Sequence, residues 1–100
     1  MELRWLRVAV SEAQEARAYY ESEREGLGGR FVDELNAALD RIVRLPHAWP
    51  SAEAPVRRTA VNRFPYLVHY VVRDEVIIVL GVYHARRRPI SWRERAERDR

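Results

Sequence analysis

In the first half of the chain, apolar residues recur at steps of three and four. Ala13, Ala16 and Tyr20 share one side of residues 11–25, and Phe31, Leu35, Ala38, Leu39, Ile42 and Leu45 share one side from Arg30 until Pro46 stops the run. This spacing predicts two helices. "SEAQ" (11–14) has the form of a capping box, in which the Ser11 hydroxyl accepts from the Gln14 backbone N–H and the Gln14 side chain reaches back. "GLGG" (26–29) breaks the chain between the helices, and so short a link folds them into an antiparallel hairpin. Ahead of them, residues 3–10 set Leu6, Val8 and Val10 against Arg4, Arg7 and Ala9, which predicts a short strand. The second half changes period. "RRTAV" (57–61) is a brief strand and "YLVHYVV" (66–72) alternates, while "VIIVLGVY" (76–83) is apolar throughout, as a strand covered on both faces should be. Residues 73–75 form a tight hairpin turn between the last two. Pro46, Pro50 and Pro55 mark an irregular loop, in which Trp49 is expected to cover core, and Pro89 opens a short closing helix.

The order is β-α-α-β-β-β with a short C-terminal helix, an α+β class in which a helical hairpin packs on a mostly antiparallel sheet. Residues 1–100 are expected to form a single domain. The two helical stripes cannot bury each other fully, so they share one sheet face. The other face, or its rim, is left to carry the arginines.

Composition narrows the chemistry. With 47% hydrophobic and 33% charged residues, the chain has the make-up of a soluble globular protein. No apolar stretch approaches the ~20 residues of a membrane span, and "MELRWLRVAV" lacks the pattern of a signal peptide. The absence of cysteine removes disulfides and thiolate chemistry and fits a cytoplasmic location. The three histidines, 47, 69 and 84, lack metal-ligand spacing, so neither metal nor other cofactor is expected.

Charge is distributed unevenly. All 18 basic residues are arginine, so no lysine is available as a base or a phosphate ligand. Residues 1–50 hold seven arginines and nine acids, a balance of −2; residues 51–100 hold eleven and six, a balance of +5. The second half therefore suits an anionic partner.

Four features in order extend this reading: an F-x-x-E/D-L helix start at "FVDEL", a "P…WP" loop, an "RR…RFPY…Y" hairpin and the ending "HARRRPISW". Together, over residues 3–95, they resemble the RelE/ParE superfamily of type II toxins, also called plasmid-stabilisation proteins, and the ending is more similar to the ParE-like side. The resemblance implies a growth-arresting toxin held inactive by a cognate antitoxin, as a dimer or a hetero-oligomer. RelE-like members are ribosome-dependent mRNA endoribonucleases. ParE-like members bind and poison DNA gyrase.

The residues themselves bear on that choice. Cleavage of RNA by its own 2′-hydroxyl needs a base, an acid and cations at the phosphate. His84 can serve as acid or base, and Arg63 and Arg87 can steady the charge, so these three form the nuclease candidate set. A second acid–base group is missing. Tyr83 neighbours His84 on a strand and should point to the opposite face. The places where similar nucleases carry an arginine and a tyrosine hold Leu67 and Ala85. The alternative is a binding surface made of Arg57, Arg58, Arg63, Tyr83, His84, Arg86, Arg87, Arg88 and Trp92, whose planar guanidinium forks suit carboxylate or phosphate. Against it stand two internal roles: Arg87 or Arg88 paired with Asp33 or Glu34, and Trp92 packed on the sheet. A third possibility is a non-toxic superfamily member that binds anionic surfaces. An antitoxin segment would lie along an apolar strip near Leu27 and the helical hairpin.

Overall fold

A computed structural model describes residues 1–87 and 90–97. In chain order the elements are β1 (Glu2–Trp5), α1 (Arg7–Glu23), α2 (Leu27–Arg44), β2 (Ser51–Glu53), β3 (Val56–Val61), β4 (Tyr66–Arg73), β5 (Val76–His84) and α3 (Trp92–Glu97). The strands form one sheet in the order β1-β5-β4-β3-β2. β1 runs parallel to β5, and the other neighbours are antiparallel. None of the described helices is long and apolar enough to cross a membrane.

The helical hairpin covers one face. Ala9, Ala16, Phe31, Leu35, Ala38, Leu39 and Ile42 bury against Val61, Val68, Tyr70, Ile77, Val79 and Val82. On the opposite face Trp92 and Ala96 of α3 close over Val56, Val71, Ile78 and Leu80. The wholly apolar β5 is therefore covered on both sides, as its composition requires. Of the two places expected for the arginines, that face or its rim, α3 largely closes the face.

Two helix starts lie earlier than their sequence signals. The expected strand over 3–10 ends at Trp5, and α1 begins at Arg7 rather than after Ser11. The Leu6 N–H donates to the Val79 carbonyl, which ends the strand pairing, and the Leu6 carbonyl accepts from Ala9 and Val10. The buried face of α1 is built from small residues, with Ala9 fully buried while Val8 and Val10 stand exposed. The alternation of 6, 8 and 10 pointed to the wrong side for that reason. Helix α2 starts at Leu27 instead of Arg30, because both carboxylate oxygens of Glu21 accept N–H groups at its first turn, from Gly26 and Gly28 at 3.0 Å each. Those hydrogen bonds hold the Glu21 carboxyl below its ordinary range. At its other end Leu45, expected on the apolar stripe, is exposed.

The proline-rich loop is tied down at several points. The Tyr70 hydroxyl donates to the Pro46 carbonyl at 2.6 Å, and Arg57 Nη1 donates to the Trp49 carbonyl at 2.7 Å. Trp49 packs against the core as expected. The loop also yields β2, an edge strand that carries no apolar pattern of its own.

Candidate functional site

Register decides what meets at the C-terminal end of β5. Tyr66, the first residue of β4, pairs with His84, the last of β5. Their rings meet edge-on, centroids 5.2 Å apart, on the hairpin side of the sheet. Tyr83 points the other way and meets Trp92 edge-on at 5.3 Å. The opposite facing of Tyr83 and His84 follows from strand alternation.

Just past the strand the backbone turns and uses the histidine. The Arg87 N–H donates to the His84 carbonyl, and the Arg86 N–H donates to His84 Nδ1 at 3.0 Å. As an acceptor, Nδ1 carries no proton, so neutral His84 holds its hydrogen on Nε2. The Arg87 guanidinium lies over the Tyr83 ring, 4.9 Å from its centroid, a cation–π contact. Arg86 and Arg87 are exposed, and neither has a carboxylate within ion-pairing distance among the described residues. Arg88 lies outside the described residues.

His84, Arg87 and Tyr66 line a groove of about 540 Å³ with Tyr19, Glu12 and Glu15. Tyr66 is half-buried, and desolvation raises its pKa; the Arg87 charge opposes that rise, while Tyr19 and Glu15 add to it. Its phenol therefore stays protonated near neutral pH and can donate but not act as a base. Tyr66 is the neighbour of His84 that the sequence reading missed. Counting back from the 73–75 turn in regular register sets 66 opposite 83, and only a bulge, where the pairing steps from Tyr70–Val79 to His69–Gly81, brings Tyr66 opposite His84.

The remaining candidates separate. Arg63 stands in the turn between β3 and β4 with a left-handed backbone (φ 72°) and pairs loosely with Glu34 at 3.8 Å. It lines a second groove, of about 630 Å³, with Leu27, Tyr20, Phe64, Pro65 and Arg30. Tyr20 and Pro65 belong to both grooves, so the two are contiguous. Glu34 thus takes Arg63 rather than Arg87. Arg58 is exposed, whereas Arg57 is half-buried and engaged with Trp49. Trp92 is a correction: it is 7% exposed and stacked on His69, centroids 3.8 Å apart, so it packs the interior instead of presenting a contact surface. Among the described residues, no group of three or more His, Asp or Glu side chains could hold a metal ion.

Comparison with known proteins places this geometry. No curated protein sequence matches the chain. Among solved structures, the chromosomal ParDE toxin–antitoxin system from P. aeruginosa contains a chain with the same fold, at a TM-score of 0.62 and 18% sequence identity, covering 84% of this chain and 95% of that one. The sequence profile described as ParE toxin of type II toxin–antitoxin system, parDE, matches residues 3–89. With that match running from β1 to beyond the exposed arginines, the chain belongs to the ParE toxin family of type II toxin–antitoxin systems.

Proposed function

We propose that this toxin arrests growth by binding and inhibiting DNA gyrase through the arginines at the end of β5, and that a cognate antitoxin neutralises it. The observation that carries the reading is the state of Arg86 and Arg87: exposed, without a described carboxylate partner, and set by main-chain bonds to His84 just beyond a rigid strand. A fixed backbone at both arginines lowers the cost of ordering them on binding, and each guanidinium can make charge-assisted, bidentate contacts. Gyrase as the target makes the cytoplasm the place of action. The groove of Tyr20, Leu27, Phe64 and Pro65, rimmed by Arg30 and Arg63 and by Asp33 and Glu34, suits an amphipathic antitoxin segment with an apolar face and charges of both signs at its edges. Antitoxin seated there runs toward the adjoining groove at His84, so one segment can screen both.

The test is to change Arg86, Arg87 and Arg88 together to alanine. Growth arrest should disappear and gyrase supercoiling should withstand at least ~10-fold more toxin, with antitoxin binding retained. Undiminished arrest by the triple variant contradicts the reading.

One observation favours a second reading, a ribosome-dependent mRNA endoribonuclease. Tyr66 and Arg87 share a groove with His84, which supplies a donor and a cation beside an imidazole. Primer extension on mRNA after induction separates the two. New cuts that vanish in His84→Ala would establish the nuclease and displace gyrase binding.

A further inference from the structure

We propose that α3 is a latch that lifts from the sheet, and that His69, held beneath Trp92, makes its release proton-sensitive. This stands apart from the gyrase reading. A helix of six residues has no stability of its own. Two buried side chains, Trp92 and Ala96, and a few polar tethers hold it. Arg73 Nη1 donates to the Ala96 carbonyl, the Arg93 N–H donates to Glu53, and Arg93 Nη2 donates to the Ala54 carbonyl. Arg95 Nη1 pairs with Glu12 at 3.0 Å and also reaches the Leu80 carbonyl.

At the centre of this contact the packing is tight and one polar atom is unmatched. The Trp92 indole lies parallel to the His69 ring, with 6° between their planes. It rests over Gly81, the partner of His69 on β5, where a Cβ would come within 2.4 Å of the indole. His69 is 3% exposed, and its Nδ1 has no hydrogen-bond partner. An unsatisfied buried nitrogen is a cost that water relieves only when α3 moves away.

The charges around the ring all oppose its protonation in the closed form. Arg58 faces it from β3 and Arg95 from α3, β5 offers Gly81 and the edge of Tyr83 through Trp92, and Glu12 of α1 is paired with Arg95. Burial, with those two arginines, pushes the His69 pKa down to about 3. Once α3 lifts, the ring regains an ordinary pKa near 6.5. Closed His69 is therefore neutral, and the closed form is fully favoured above pH ~6.5 and progressively loses its advantage toward pH 3. Between pH 7.5 and pH 5 the opening constant should rise about 30-fold. Opening uncovers the apolar face of Val56, Val71, Ile78 and Leu80.

Hydrogen exchange of the α3 amides in the full chain, corrected for the intrinsic pH dependence, tests this. The expected result is an ~30-fold loss of protection at pH 5 relative to pH 7.5, confined to α3, with the β4 and β5 amides unchanged. His69→Phe, which keeps a stacked ring, should abolish the pH dependence, whereas Glu12→Gln should raise exchange at both pH values without flattening it. Flattening by Glu12→Gln, pH-independent protection in the parent, or loss of protection spread over the whole sheet would each overturn the proposal. Should His69→Phe not fold, ring NMR of the parent serves instead: a His69 midpoint near 6.5 with α3 still protected would equally refute it.

Discussion

Gly81 matters because of what lies across from it. Any side chain there collides with Trp92 Cζ3 and Cη2 and with Arg95 Nη1, all at the joint between sheet and α3, where the neighbours are packed or paired. Gly81→Ala should therefore cost about 1–3 kcal/mol, read as a lower urea midpoint together with loss of the His69–Trp92 stack by NMR. His84 has a different role: in the binding reading it positions Arg86 through Nδ1 and is not chemically consumed. His84→Ala should weaken gyrase inhibition only ~3–10-fold, the value of one hydrogen bond, while complete loss would speak for chemistry at the imidazole. Part of this was legible in the chain. The opposite facing of residues 83 and 84 follows from strand alternation alone, and the exposure of Arg86 and Arg87 from their place beyond the end of the strand. Trp92 was not, because a tryptophan among arginines looks the same as a surface anchor or a core plug until its partner is known. That partner, His69, lies 23 positions away and meets it only through the fold.

Elements were easier to read than their ends. Strand periods placed β3 to β5 within a residue, and helical periods found both helices of the hairpin while starting each several residues late, since those elements have faces buried continuously enough to leave a pattern. What failed has a common cause. The start of α1 rests on Ala9, the start of α2 on the Glu21 carboxylate, and β2 on pairing with β3, and none of these writes a hydrophobic rhythm. Two predictions belong at this scale. Asp74 and Glu75 link β4 to β5 with φ of 50° and 63°, left-handed at both turn positions, which L side chains tolerate poorly. Replacing them with Asn-Gly should raise stability by about 1 kcal/mol, seen as a higher Tm with activity unchanged. In the α1–α2 groove, Leu27→Glu puts a charge where an antitoxin's apolar face would sit. It should weaken antitoxin binding at least 10-fold while leaving growth arrest intact, measured by calorimetry and by rescue of growth on antitoxin co-expression.

Seen whole, the molecule has two dissimilar sides around one sheet: a thick aromatic and aliphatic layer beneath the helical hairpin, and a thin one beneath α3. Each side holds one buried titratable ring on β4, and the two limit stability at opposite ends of the pH scale. Tyr70 faces the hairpin. Burial pushes its hydroxyl up to about 12, with Arg57 opposing. The unfolded chain ionises first, near pH 10, so Tyr70's contribution is intact below that and declines from 10 to 12. His69 faces α3 with its pKa lowered to about 3. Here the unfolded chain takes up a proton first, near pH 6.5, so the contribution is intact above 6.5 and is lost as the pH falls toward 3. At pH 5 the loss amounts to roughly 2 kcal/mol, a large share of the stability of a domain this size. Urea unfolding at pH 7.5, 6 and 5 should show the midpoint falling over this range, before most carboxylates titrate. In His69→Phe the fall should shrink to the residue left by the acids, and an undiminished fall in that variant would move the cause elsewhere. The thin side is thus expected to be where acid first acts, and its one buried imidazole to be the reason.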